Sequence, residues 1–507
     1  MEHSPESEGI GNDLHISGAL IYEPFSESLV PGEMAIRNGV VEEVAYGERI
    51  PVHGRRGLER IDGSGSVISP AFLDGHMHMY QWSISRQAVD LSSVRTLKEI
   101  RDRFSDIILG RERNQFFEKT GLLFGVDLDE SKLTDGVKLA RGALDGISKD
   151  HPILIRRICG HKVYLNSPAI DKFDIRTEAS ADGILVEGPA MALSWGGNLG
   201  NDILLSCLEQ GISLMYRMGF AGGVEILPLS KLHQFKKLLN SIDLEPKLSL
   251  SIYKDIDIDL PCGPPETSFD KGSKRERDPK PVFMKFFMDG SIGSRTASFF
   301  HPYSDSPAFE PLVSNAELSK RLEEAREHNL IPMVHAIGDR AVANAVKVCS
   351  GTGYPYRLEH CESMDRKIVK KVEASSGGVC MQPNFQWLWG SNGGMYNQAL
   401  GQPGSGLNPL STLCKNSTRW CFGTDMMPPG FQTAAMGGLN HADPSNRISL
   451  VDLIKGFTSN SSVMSLLGPY GDIRETIGCF SDMVLIDIRD LSVKLSMIHG
   501  RIRYYEV

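Results

Sequence analysis

From Val282 onward the chain alternates short apolar runs with stretches of helical period, and this alternation restricts the fold more than any other feature. VFMKFFMDG reads as a strand, ELSKRLEEAREHN as an amphipathic helix, IPMVHAIGD as a strand and RAVANAVKVCSG as a helix ending at Gly351. YRLEHCE, DRKIVKKVEASSG, GVCMQPNF and WCFGTD continue as strand, helix, strand and strand. Strands alternating with helices at this spacing are βαβ units around a parallel sheet. Upstream, AFLDGHMH, GFAGGVEIL and KLSLSIY fit the same set and bring the strands to eight. The expected fold is α/β, a (β/α)8 TIM-type barrel.

Two β-rich ends bracket this middle. LHISGALIY and EMAIRNGVVEEVAYG near the start, and SDMVLIDIRD and LSVKLSMIHGRIRYYEV at the end, alternate apolar and polar residues. They predict a small composite β-sandwich domain from residues 13–69 and 455–507, with the barrel at 70–454. The stretch after the first barrel strand is too long for a loop. RRICGHKVYLNSPAI and GVKLARGALDGIS there predict an inserted subdomain over the barrel mouth, at about 92–200. The Gly-rich run SNGGMYNQALGQPGSG, between the seventh and eighth strands, reads as a mobile loop, either a lid or ordinary surface.

A net charge of −9 disfavours nucleic-acid binding, because a mildly acidic surface repels phosphate backbones. The one dense basic run, Lys271 to Lys280, reads as a solvated loop. Nine scattered cysteines with no CxxC pair argue against a disulfide framework and for a reducing cytoplasm. The acidic, polar start lacks the regions of a signal peptide, and no apolar stretch reaches the ~18 residues of a membrane span.

Chemistry concentrates at the strand ends. His76 and His78 are two apart, which on a strand puts both imidazoles on one face, a half-site for Zn²⁺ or a similar divalent ion. An HxH pair alone is a weak signal. Here, however, later strands carry Lys285, His335, His360 and Asp425 in the same register, where barrel enzymes place their reactive groups. Lys285 lies among Phe283, Met284, Phe286 and Phe287, where a bare ammonium is costly. Two readings follow: pairing with a carboxylate such as Asp289, or a lowered pKa and capture of CO₂ to give a carbamate bridging two metal ions. Asp425 would bind metal and take the proton of an activated water, or else cap a helix, which Pro428 and Pro429 disfavour.

At these residues the sequence resembles the amidohydrolase superfamily, with HxH on the first strand, lysine on the fourth, histidines on the fifth and sixth, and aspartate on the eighth. GHKVYLNSPAI, DGILVEG, KFFMDGSIGSRTASF, HAIGDRAVANAV, RLEHCE and FGTD are similar to one branch, that of N-substituted formamide deformylase. The resemblance covers nearly the whole chain. It departs from the family at Met77, where Ser or Thr is common; Met77 and Met79 are expected to pack away from the metal, and Cys361 in the core. The resemblance implies one or two divalent ions, zinc first with iron or manganese as alternatives, and a carboxylated Lys285 where there are two. It places His161, Asn166, Glu187, Asp289, Arg295 and Asp339 near the site as supporting or substrate groups. For Asp339 the alternative is helix capping, and for Arg295 a salt bridge within its loop instead of an anchor for a substrate carboxylate.

The reaction so implied is hydrolysis of a C–N bond in an amide, formamide or cyclic amide of a small molecule. Alternatives on the same site are ester or phosphoester hydrolysis, isomerisation or decarboxylation. A non-catalytic scaffold fits least, because the ligand set is complete. Tyr80, Trp82, Phe385, Trp387 and Trp389 are candidate pocket walls. A homodimer is expected by analogy with related barrels.

Overall fold

Eight strands pair in parallel, each with its neighbour in sequence: Phe72–Met77, Phe220–Pro228, Lys247–Tyr253, Pro281–Phe287, Ile331–Ala336, Tyr356–His360, Gly377–Met381 and Arg419–Phe422. These are the eight runs read from the sequence. They come from a computed structural model that describes residues 11–506 except 52–55, 159, 161, 177–178, 180, 187–188, 191–192, 194–198, 256–278, 402–405 and 469–476. His161, Glu187 and most of the basic run at 271–280 therefore lie outside the described residues.

The sheet curls into a nearly closed barrel. At the seam, the Asp425 amide donates to the His76 carbonyl at 2.8 Å. Asp74 of the first strand accepts from the Thr424 amide at 2.9 Å and the Thr424 hydroxyl at 2.6 Å. Two glycines permit this approach: a Cβ on Gly423 would lie 2.4 Å from the His76 nitrogen, and one on Gly75 would lie 2.7 Å from the Phe422 oxygen.

The helices pack because their apolar residues recur at helical spacing. Asp339–Cys349 buries Ala341, Val342, Ala345, Val346 and Cys349. Ser314 and Asp365 start the helices Asn315–Glu327 and Arg366–Glu373 by accepting the Glu317 and Ile368 amides. The helices and strands share one apolar cluster that includes Phe72, Val334, Val346, Leu358 and Phe457. Burying each such side chain contributes roughly 1.5–3 kcal/mol. Val224, Ile226, Phe283 and Met333, on the second, fourth and fifth barrel strands, form a separate small cluster.

The two chain ends meet in one eight-stranded sheet. Ser66–Pro70 pairs antiparallel with Met483–Asp487, and Leu14, Ile21, Met34, Leu485 and Leu495 form its core. Beyond the first barrel strand lies a five-stranded sheet. Val89–Asp90, Leu123–Leu128 and Ile153–Arg157 are parallel, and Lys162–Leu165 and Ile184–Val186 are antiparallel. The Gly-rich run expected to be a loop contains a helix, Met395–Leu400, which buries Met395, Tyr396, Ala399 and Leu400. Gly394 and Gly401 bound it, so the glycines mark its ends. No helix among the described residues is long and apolar enough to cross a membrane.

Candidate metal centre

His76, His78, Lys285, His335, His360 and Asp425 line one cavity of about 410 Å³ at the carboxyl ends of the barrel strands. His76, on the first strand, is fully buried, and Lys285, at mid-length of the fourth, is 3 % exposed. Asp425 Oδ1 lies 3.2 Å from His78 Nε2 and 3.5 Å from His76 Nε2, and Lys285 Nζ lies 3.4 Å from His76 Nε2. The rings of His360 and His76 are 4.8 Å apart, and those of His335 and His360 are 4.4 Å apart. One ligand atom from each of His76, His360 and Asp425 falls within 4.8 Å of the others, a spacing that suits one ion.

Each imidazole also has an outward acceptor that determines where its proton sits. His76 Nδ1 donates to Glu359 Oε2 at 2.5 Å, and His78 Nδ1 donates to the Ile226 carbonyl at 3.1 Å. His360 Nδ1 donates to Gln382 Oε1 at 2.8 Å, and His335 Nε2 donates to the Gly290 carbonyl at 3.0 Å. A neutral imidazole holds one proton, so the lone pair falls on Nε2 of His76, His78 and His360 and on Nδ1 of His335. Burial, with the nearby cationic groups, drives the His76 and His360 pKa well below the ordinary value, so both rings are neutral bases.

Lys285 responds to the same surroundings. Burial lowers its pKa to about 8, although Glu359 and Asp425 oppose the shift. Among the described residues it makes no ion pair with Asp289. That carboxylate accepts the amides of Ser298, Ile337 and Gly338 at 2.8–3.0 Å and lies 3.7 Å from His335 Nε2. Asp289 thus ties together the loops after the fourth and fifth strands, behind His335.

Glu359 and Arg357 were not foreseen from the sequence. Glu359 is fully buried and Arg357 is 2 % exposed. Arg357 Nε donates to Glu359 Oε1 at 2.6 Å and Nη2 donates to Oε2 at 3.1 Å; Nη2 also donates to the Gly75 carbonyl. The carboxylate that orients His76 is itself held by a fork of guanidinium donors. Residues 357 and 359 alternate on one strand and so face the same way. Glu359 also falls beside His76 and Cys380 in a second cluster able to hold an ion, but Arg357 already occupies its oxygens.

The other sequence candidates divide. Asn166 is fully buried and caps the helix Ser167–Phe173, accepting the Ala169 and Ile153 amides and donating to the Ser148 and His151 carbonyls. Arg295 makes a two-pronged pair with Asp305, both contacts at 2.8 Å, as the loop salt-bridge alternative expected. Asp339 is the first residue of its helix and accepts the Phe300 amide at 2.9 Å. None of these three lines the cavity. Trp82 does, whereas Tyr80 packs on Phe235 and Trp387 is half exposed. Phe385 and Trp389 line a smaller adjoining cavity of about 20 Å³ with His335, His360 and Asp425. Met77, Met79 and Cys361 are buried away from both cavities.

His360 ends its strand and Asp425 follows just past the end of Arg419–Phe422, with φ of 70° and 53°, and Cys361 and Met426 come next at 49° and 56°. Left-handed backbone at non-glycine residues costs about 1–3 kcal/mol each and gathers at functional sites. Here it turns the chain out of strand alternation so that both side chains enter the pocket.

The amidohydrolase family model matches residues 59–199 and 277–503, well over half of the chain. The YtcJ protein of Bacillus subtilis, which carries an amidohydrolase name, is 25% identical over 410 residues, covering 73% of this chain and 72% of that protein. Among solved structures, uncharacterised metal-dependent hydrolases of Pyrococcus furiosus and Pyrococcus horikoshii share the fold. Their TM-scores are 0.68 and 0.69 and their identities 22% and 21%; both cover 94% of this chain, and 100% and 98% of their own lengths. The chain belongs to the amidohydrolase family.

Proposed function

We propose that the protein hydrolyses a C–N bond of a small molecule (an amide, formamide or cyclic amide) at a divalent metal held by His76, His78, His335, His360 and Asp425, with Lys285 beside them. One observation carries the reading: four imidazoles, each with its proton directed to an outer acceptor, line one pocket with a carboxylate and a lysine. Imidazole and carboxylate ligands suit zinc first, with iron or manganese as alternatives. When bound, such an ion polarises a carbonyl and lowers the pKa of water toward ~7.

The chain's own groups do the rest. Asp425, 3.2 Å from His78, accepts the proton of the attacking water and delivers it to the leaving nitrogen. Neutral His76 and His360 remain ligands rather than acids at pH 7. Lys285, its pKa lowered to about 8, has a free-amine fraction that adds to CO₂, forming an N–C bond and releasing one proton. Such a carbamate would give Lys285 an anionic oxygen pair able to serve as a ligand where a second ion is held.

The test is metal content of untagged protein prepared without chelators, with Lys285→Ala in parallel. About one or two zinc, iron or manganese ions per chain, fewer in the variant, are expected. A chain that carries no metal and takes none up on incubation would sink the mechanism.

A further inference from the structure

The pocket has a second wall that the metal chemistry does not use. The three parallel strands of the inserted sheet end in it: Asp90 terminates the first, Val126 and Asp127 lie near the end of the second, and Arg156 and Ile158 lie at the end of the third. Asp90 pairs with Val126, and Leu128 with Arg157, so these ends are level with one another. Ligands of open parallel sheets bind outside the carboxyl ends of the strands. Between Gly125 and Leu128 the second strand carries one extra residue relative to its partner, and Asp127 there has φ of 60°. A bulge with a left-handed non-glycine residue re-aims a side chain, and here the carboxylate lines the cavity beside Arg156. Burial raises the Asp127 pKa and Arg156 opposes the shift, as expected for neighbouring groups.

We propose that Asp127 and Arg156 bind the far end of the substrate, and that this end is a neutral group which both donates and accepts hydrogen bonds, such as a primary amide or a ureide. A carboxylate only accepts and a guanidinium only donates. Side by side on adjacent strands, they complement a group offering N–H and C=O together. A carboxylate end would meet Arg156 but be repelled by Asp127, and an ammonium end would do the reverse. An alkyl end would displace water from both groups without offering a hydrogen bond in its place. Among the described residues, the remaining charged groups on this wall, Arg86 against Asp90 and Glu112, add no positive excess that would favour an anion.

The inference rests on the proposed metal site, and the test separates the two. Metal-loaded full-length protein is titrated calorimetrically with hydroxamic acids in a series of tail lengths, the tail ending in methyl, primary carboxamide or carboxylate. At the best length the carboxamide tail is expected to bind about 10- to 100-fold tighter than the methyl tail, the value of hydrogen bonds to charged groups. Asp127→Asn and Arg156→Gln should each bring that ratio down toward one. Asparagine tolerates the left-handed backbone at 127; should Asp127→Asn not fold, Arg156→Gln carries the test. Equal binding of methyl and carboxamide tails at every length would overturn the inference. So would a carboxylate tail that binds tightest, or variants that keep the full preference. Failure of every hydroxamate to bind a chain of measured metal content would instead overturn the metal-site reading, and this inference with it.

Discussion

Glu359→Gln removes a charge from inside the barrel while leaving the side-chain shape nearly unchanged. In the wild type Glu359 accepts two bonds from Arg357 and one from His76, and none of the three side chains has appreciable contact with solvent. Glutamine offers one acceptor oxygen, and its amide protons face donors. Two losses follow. Arg357 is left buried without its counter-charge, which costs about 3–5 kcal/mol when one member of a buried pair is removed. His76 loses the acceptor that orients its ring, which typically weakens metal binding about 10- to 100-fold. Urea unfolding of the metal-free protein reads the first loss, and chelator competition for Zn²⁺ reads the second. The double variant Arg357→Met/Glu359→Leu separates them. Replacing both ions by apolar side chains should restore much of the stability, yet His76 Nδ1 still lacks its acceptor and the metal deficit persists. Wild-type zinc affinity in Glu359→Gln, with an unfolding free energy within about 1 kcal/mol of wild type, would refute the reasoning.

Three further outcomes are expected. Glu225, buried on the second barrel strand, accepts the Met79 and Tyr80 amides at 2.7 and 3.0 Å, one on each oxygen. Glu225→Gln can satisfy only one of them and should destabilise the protein by about 1–3 kcal/mol in urea unfolding. Gly423→Ala forces a Cβ into the His76 backbone, so the barrel seam must open; about 1–3 kcal/mol of stability should be lost, and zinc content should fall with it. In CO₂-free buffer the Lys285 contribution to the stability of the metal-free protein should rise with pH from about 8 toward the ordinary lysine value of 10.5, read as the difference between wild type and Lys285→Met because the buried cysteines and tyrosines titrate in the opposite sense. Over that window the unfolded chain holds the Lys285 proton and the folded chain does not. Denaturation of the two proteins at stepped pH should show this slope in their difference.

The barrel was legible because strands covered on both faces read as continuous apolar runs, and these runs end in residues of metal-binding type. Glu359 escaped notice for a definite reason. Strict alternation along RLEHCE sends either Glu359 or His360 inward, not both. The chain admits both by turning left-handed at His360, and a left-handed backbone at a residue other than glycine leaves no mark in sequence. Asn166, Arg295 and Asp339 lie in family-like motifs, but they anchor loop backbone rather than face the cavity. The motif signalled the local conformation, and the reach of each side chain depended on tertiary packing. The inserted sheet was visible only as excess length, because strands as short as Val89–Asp90 carry too few residues to reveal a period.

The pairing of Ser66–Pro70 with Met483–Asp487 has a consequence for how the molecule is made. About 400 residues separate these partners, and translation at ~5–20 residues per second takes on the order of 20–80 s to bridge them. For that interval the early strands emerge with one edge unmet, a state prone to wrong pairing. The same delay applies to the ion: His76 and His78 leave the ribosome long before Asp425 exists. Loading of the proposed site would thus come late in synthesis, and a nascent chain stalled before Arg419–Phe422 would carry the histidines and Lys285 without Asp425.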